Sequence, residues 1–224
     1  MFDVLLLHFT FEILSELKST LVGLAGGSAS GKTTFVGSLA KEFAPDELCV
    51  VSQDHYYKPQ SEQLIDPNGV INFDHPSGID FKRIRDDIRK LLAGKEVRIV
   101  EYTFNNPAVF PSEITYKPAP IIMLEGLFAF VDRPLNKMYD LRLYIETNET
   151  IAFKRRLNRD VSERGVSEEE VYYQWDNHVI PAYHEFLFPH KASADVIIKN
   201  DINFEEHLEE LRLRFKSILS KHKA

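Results

Sequence analysis

At 224 residues, with 44% hydrophobic and 27% charged side chains, the chain suits one globular domain of α/β size that can bury a substantial core. Its formal charge of −7 denies it the basic footprint that a phosphate backbone demands, which excludes wholesale nucleic-acid binding. No apolar run approaches the roughly 20 residues of a membrane span, so no membrane partner is expected.

Residues 1–19 hold Val4-Leu5-Leu6-Leu7 and then Phe9, Phe11, Ile13, Leu14 and Leu17, interrupted by Asp3, Glu12 and Glu16. Lacking a basic start and a small-residue cleavage site, they read as an N-terminal extension packing on the sheet or on a neighbouring subunit; a signal peptide is the weaker alternative. Residues 20–224 read as a single domain. Thr20-Leu21-Val22-Gly23-Leu24-Ala25 suits a buried strand, and Gly26-Gly27-Ser28-Ala29-Ser30-Gly31-Lys32-Thr33 then satisfies G-x-x-x-x-G-K-[ST]. Beyond Thr34, the residues Phe35, Leu39 and Phe43 fall four apart, on one face of a helix over 34–43. Strand, loop and helix start form a cradle of backbone N–H groups at the positive end of a helix dipole, suited to polyphosphate. Lys32 would reach the outer phosphates and the Thr33 hydroxyl would ligate magnesium. A chance glycine-serine turn is the plain alternative; the flanking strand and helix argue against it.

Residues 47–52 read as a second strand around Leu48-Cys49-Val50-Val51. The lone Cys49 excludes an internal disulfide and suits a reducing, cytoplasmic setting. Residues 54–76 are polar and too irregular for either period. Phe81, Ile84, Ile88 and Leu91 line one side of a helix over 81–92 that Gly94 ends. Residues 96–104 alternate and, with Ile114-Thr115-Tyr116, predict a small hairpin carried on the main sheet. Ile121-Ile122-Met123-Leu124 predicts a buried strand ending at Glu125-Gly126; further strands are expected over 141–145 and 194–198. Helices are expected over 148–159, over 168–188 with a bend or break at Pro181, and over 204–219. The alternation predicts an α/β fold, a doubly wound parallel sheet with helices on both faces.

Carboxylates at the carboxyl ends of parallel strands face the ligand crevice. Glu125 there is a candidate for holding magnesium near phosphates, or a plain cap of the next element. Asp54, after the second strand, can accept a proton from a substrate hydroxyl, or can simply form a turn. The densest basic cluster is Lys154-Arg155-Arg156-Leu157-Asn158-Arg159, with Arg164 expected in the loop beyond the helix. It reads as a solvated face or as a lid whose arginines neutralise transition-state charge. His178, His184 and His190 are six apart and share no helix face, so a histidine metal site is not expected. Tyr56, Tyr57, Tyr102 and Phe104 read as core or, given the neighbouring crevice segments, as pocket.

Taken together, these residues resemble the uridine kinase (uridine–cytidine kinase) family of P-loop kinases, related to phosphoribulokinase. The resemblance runs from 21 to about 200 and rests on several motifs in order. They are Gly26-Gly27-Ser28 to Thr34, Ser52-Gln53-Asp54 with Tyr57, Asn72-Phe73-Asp74-His75-Pro76, Glu125-Gly126, Arg159-Asp160 through Glu163-Arg164-Gly165, and Pro189 with Ala194-Asp195-Val196-Ile197-Ile198. It implies transfer of the γ-phosphate of ATP or GTP to the 5′-hydroxyl of a pyrimidine nucleoside, with Mg2+, in a homo-oligomer. It further implies that Gly26 to Thr34 bind the nucleotide, that Asp54 is the base, and that Asp74 holds the ribose hydroxyls. Thr33 and Glu125 would serve magnesium, and Arg156, Arg159 and Arg164 the lid. Tyr57, Tyr102, Phe104 and Gln174 would lie beside the nucleoside.

Two departures stand out. Where the family's base-reading hairpin places a histidine and an arginine, this chain has Pro107 and Val109, and Val166 stands where a further arginine is usual. Proline and valine side chains offer no donor or acceptor. Three readings follow. The first is a uridine-type kinase that reads its base through Asn105 and Asn106. The second is a kinase of the same architecture with another hydroxylated acceptor. The third, a regulatory nucleotide binder with no acceptor, is disfavoured by Asp54.

Overall fold

The computed structural model describes residues 18–104 and 110–223; the expected extension over 1–17 and the residues Asn105, Asn106, Pro107 and Val109 lie outside the described residues. Five parallel strands form the central sheet: β1 (Thr20–Gly26), β2 (Leu48–Ser52), β7 (Ile121–Gly126), β8 (Leu141–Glu146) and β9 (Val196–Lys199), in the order β2-β7-β1-β8-β9. Ser52 and Leu24 both pair with Glu125, and Gly26 pairs with Ile145, so Ser52, Glu125 and the glycine loop share the carboxyl edge.

The strands are apolar on both faces because both are covered. On one side Leu21, Ile122 and Leu124 meet Ile84, Ile88 and Leu91 of helix α2 (Phe81–Leu92). On the other, Val22, Leu24 and Met123 meet Phe35 and Leu39 of α1 (Lys32–Ala40) and Leu211 and Phe215 of the last helix (Glu205–His222). The α2 bounds match the expected ones. Asp80 caps the helix by accepting from the Arg83 amide at 2.9 Å, and Gly94 takes a φ of 75° just beyond its end. The expected hairpin is β5 (Val97–Val100) with β6 (Glu113–Tyr116), antiparallel, and the Tyr116 hydroxyl accepts from the Ser52 amide at 3.3 Å.

Local detail adds to these expectations and corrects some. The stretch over 54–76, too irregular for either period, folds a second hairpin with two-residue strands, β3 (Leu64–Ile65) with β4 (Ile71–Asn72). Its strands are too short for any period to register. A short helix, α3 (Arg133–Asn136), was not anticipated. Helix α4 runs Glu149–Arg164, so Arg164 stands in its last turn rather than in a loop, and the helix stops at Gly165, whose φ is 68°. Pro181 does not break the next helix. Helical backbone continues from α5 (Glu168–Gln174) through π-helical Trp175–Val179, α6 (Ile180–Ala182) and π-helical Tyr183–Leu187 to α7 (Phe188–Lys191). Wide turns flank the proline, which lacks an N–H to donate.

Candidate active site

The glycine loop leaves β1 and enters α1 through Gly31, whose φ of 96° is left-handed. A Cβ at Gly31 would sit 2.3 Å from the Asn200 amide nitrogen, so only glycine fits. Asn200 uses that nearness to donate to the Ser30 carbonyl at 2.8 Å, and the Thr147 hydroxyl donates to the same oxygen at 3.1 Å. The loop is thus propped by residues after β8 and β9. Ala29 also takes a positive φ, 56°. Thr33 and Thr34, in the first turn of α1, are exposed.

Lys32 donates to the Gly26 and Gly27 carbonyls, each at 2.9 Å. Burial holds its pKa below the usual lysine value, while Glu125, Asp54 and Asp74 oppose that shift. Glu125, nearly buried at the end of β7, accepts from the Ser52 hydroxyl at 2.6 Å. The same hydroxyl accepts from the Asp54 amide at 3.4 Å and caps the 3-10 turn Gln53–Tyr56. Ser52 is thus a joint between two candidate carboxylates. Burial raises the Glu125 pKa, and the neighbouring Asp54 charge raises it further. Asp54 is open to water at the crevice mouth and walled by protein elsewhere; desolvation raises its pKa, with Lys32 and His55 pulling it back. Next to Asp54, Gln53 is buried under Gly126, where a Cβ would meet it at 2.3 Å, and accepts from the Phe128 amide at 2.8 Å.

Across the crevice, Asp74 is buried and faces Arg156 at 3.7 Å. Arg156 also donates to the Ser28 hydroxyl and to the Gln174 side chain, each at 2.9 Å. It therefore stands in the crevice wall, buried, and ties the glycine loop to α5; an exposed lid residue it is not. Arg159 and Arg164 are more open. Both reach the buried Asp160, at 2.8 and 3.3 Å, and Arg156 reaches it at 3.2 Å. One carboxylate gathers three guanidiniums and Asp74 faces one of them, so this group keeps one positive charge in excess for an incoming anion.

Tyr57, Phe73, Tyr102 and Phe104 form one aromatic cluster with ring centroids 5.1–5.8 Å apart. The Tyr57 hydroxyl donates to the Phe73 carbonyl at 2.9 Å, and burial holds its pKa well above the ordinary phenol value. The sequence-level candidates Lys32, Asp54, Asp74, Glu125 and the three arginines thus face one crevice at the carboxyl edge. Thr33 opens onto the same edge, while Gln174 enters through Arg156. Ser52, Phe73, Asp160 and Asn200 take contacts here to which the sequence alone assigns no role. The spacing Arg156, Asp160, Arg164, four apart on a helix, was the available signal for Asp160.

The sequence profile of the Phosphoribulokinase / Uridine kinase family matches residues 21–203. The chain is 32% identical over 203 residues to a uridine kinase of Staphylococcus haemolyticus, covering 91% of this chain and 98% of that one. A uridine kinase of Staphylococcus aureus is likewise 32% identical over 203 residues, with the same coverage of both chains. Among solved structures, phosphoribulokinase from Rhodobacter spheroides superposes with a TM-score of 0.58 at 13% identity, covering 82% of this chain and 71% of that one. D-glycerate 3-kinase from Cryptococcus neoformans gives 0.56 at 15% identity, over 75% of this chain and 79% of that one. These two likenesses speak to the fold.

Proposed function

Because the chain belongs to the phosphoribulokinase/uridine kinase family, we propose that it transfers the γ-phosphate of ATP to the 5′-hydroxyl of a nucleoside of the uridine type. The observation that carries this reading is geometric: Ser52 joins Glu125 and Asp54 at the carboxyl edge of the sheet, and Arg156 joins Asp74 to Ser28 of the glycine loop that holds Lys32. A protein that only held nucleotide would need no carboxylate aimed at an acceptor. In this reading Lys32 exchanges its loop carbonyls for phosphate oxygens, and Asp54 takes the proton of the attacking hydroxyl. Asp74 accepts from the ribose diol in place of Arg156, and Tyr57, Tyr102 and Phe104 flank the base. Arg159 and Arg164, gathered by Asp160, lie against the transferring phosphoryl group and exclude water. GTP is the alternative donor.

Thr33 and Glu125 fit magnesium: both offer hard oxygens, and the Ser52 hydroxyl occupies only one oxygen of Glu125. Among the described residues no group of three or more acidic, histidine or cysteine side chains could hold a metal. When bound, magnesium neutralises phosphate charge. Glu125→Gln is expected to raise the magnesium concentration for half-maximal rate, leaving metal-free nucleotide binding little changed. A magnesium titration identical to the parent's would make Glu125 a structural partner of Ser52 and nothing more.

Among the described residues no helix is long and apolar enough to cross a membrane. A cytoplasmic homo-oligomer acting on small molecules completes the proposal.

Val166, with Pro107 and Val109, favours a second reading in which the acceptor is another hydroxylated metabolite. Sharp selection needs buried polar groups that the wrong ligand leaves unpaired. Uridine, cytidine, a purine nucleoside and free ribose, compared by kcat/KM, decide between the readings. Turnover of ATP that requires a nucleoside is expected, with uridine favoured over ribose by less than about a thousandfold, roughly 4 kcal/mol. A larger preference would restore ordinary base reading, and ATP consumption indifferent to all four would end the nucleoside-kinase reading in favour of the second.

A further inference from the structure

The turn of the β3–β4 hairpin is held against the π-helical stretch by a network that the phosphate-transfer chemistry leaves unused. Asp66 sits at that turn. Its Oδ1 accepts from the amides of Asn68 and Val70 at 2.9 and 2.8 Å, which shapes the turn itself. Its Oδ2 accepts from the Tyr173 hydroxyl at 2.6 Å and meets His178 Nε2 at 2.8 Å. Asn68 adds a bond from its side-chain amide to the Tyr173 hydroxyl, at 2.6 Å. Asp66 and His178 side chains are only 9% and 2% exposed, so water competes little for these bonds although the turn stands at the periphery. The Tyr173 hydroxyl, first among its partners, holds the Asp66 carboxyl well below the usual range, as a carboxylate with its lone pairs occupied should be.

Two ties therefore join the same two segments. The inner one is Asp74 to Arg156 to Gln174. Its Asp74 end is a loose 3.7 Å ion pair, and acceptor binding as read above would break it. The outer one, from Asp66 to Tyr173 and His178, is short and shielded. β4 carries the chain from Asp66 directly to Phe73 and Asp74, while Tyr173 adjoins Gln174. At its other end the hairpin is anchored by Gln63, which donates to the Lys58 carbonyl at 2.7 Å.

We infer that Asp66, Tyr173 and His178 are positioning residues for the acceptor: their clasp keeps the hairpin seated on the helix, so that Asp74 stays in place when Arg156 releases it. The inference rests on the nucleoside-kinase reading for its kinetic part only. The test combines hydrogen exchange over residues 64–72 with steady-state kinetics on uridine and ATP, in Asp66→Asn and Tyr173→Phe. Both variants should exchange faster across the hairpin. Their KM for uridine should rise about tenfold, the scale of one lost charge-assisted hydrogen bond, with kcat and KM for ATP within about twofold. Tyr173→Phe removes one hydroxyl from a half-buried position and serves should Asp66→Asn fold poorly. Unchanged exchange overturns the clasp. Equal rises in both KM values, or a fall in kcat alone, overturn the acceptor role. If the parent protein converts no nucleoside, the functional reading fails by itself, and hairpin exchange still decides whether the clasp exists.

Discussion

Asp54→Asn should lower kcat by about a hundred- to ten-thousandfold while leaving KM for ATP within about twofold. The proposed contact of Asp54 is with the acceptor hydroxyl, so its loss touches the chemical step and spares the nucleotide. Asparagine keeps the size of the side chain and removes its basicity. The backbone amide of residue 54 still donates to Ser52, so the 3-10 turn survives. Desolvation raises the Asp54 pKa, opposed by Lys32, His55, Arg164 and Arg159. A base must be deprotonated to act, so the rate should fall as pH drops through that raised pKa, at a higher pH than an ordinary aspartate near 4 would set. The pH profile of kcat/KM measures this, and the acid limb should vanish in Asp54→Asn. Near-parental turnover in the variant would remove the base assignment.

Lys32→Ala should reduce kcat/KM for ATP by about a hundred- to a thousandfold, through both weaker nucleotide binding and slower transfer. The ammonium points into the loop, bonded to the Gly26 and Gly27 carbonyls. In the proposed reading phosphate oxygens replace those carbonyls. Burial disfavours the charged amine and the surrounding carboxylates oppose that shift. Fluorescent nucleotide titration beside rate measurement separates the two effects. Unchanged nucleotide affinity with lost turnover would place the contact of Lys32 in the transition state only.

Most of this crevice was readable because its parts lie on elements with strong local signals. The glycine loop follows a strand whose residues are apolar on both faces, and Glu125 ends another such run, so each fell at the sheet's carboxyl edge by position alone. The helix over 81–92 was exact because one apolar stripe, an aspartate cap and a glycine stop agree. Where the reading ran out, the determining contacts were distant. Asp66 meets Tyr173 and His178 across more than a hundred residues, and nothing near Asp66 announces a partner. The same holds for Asn200 under the glycine loop. Of the bend or break expected at Pro181 the break does not occur, because π-helical turns on both sides absorb the missing donor. Arg156 differs: a charged run suggested a solvated face or a mobile lid, but the guanidinium is buried, bonded to Ser28 and Gln174 and paired with Asp74 and Asp160.

β1 is the earliest of the five sheet strands to leave the ribosome, yet it ends in the middle, between β7 and β8. It has no hydrogen-bonded neighbour in the sheet until residues 121–126 have been made. Ser30 waits longer, because the amide that steadies its carbonyl belongs to Asn200, 170 residues further on. At about 5–20 residues per second this is a delay of roughly 10–30 s. Until residue 200 has been made, the nascent chain therefore carries the complete glycine-lysine-threonine signature without the Asn200 brace. The shape of the loop is thus set by a residue far downstream of its own motif.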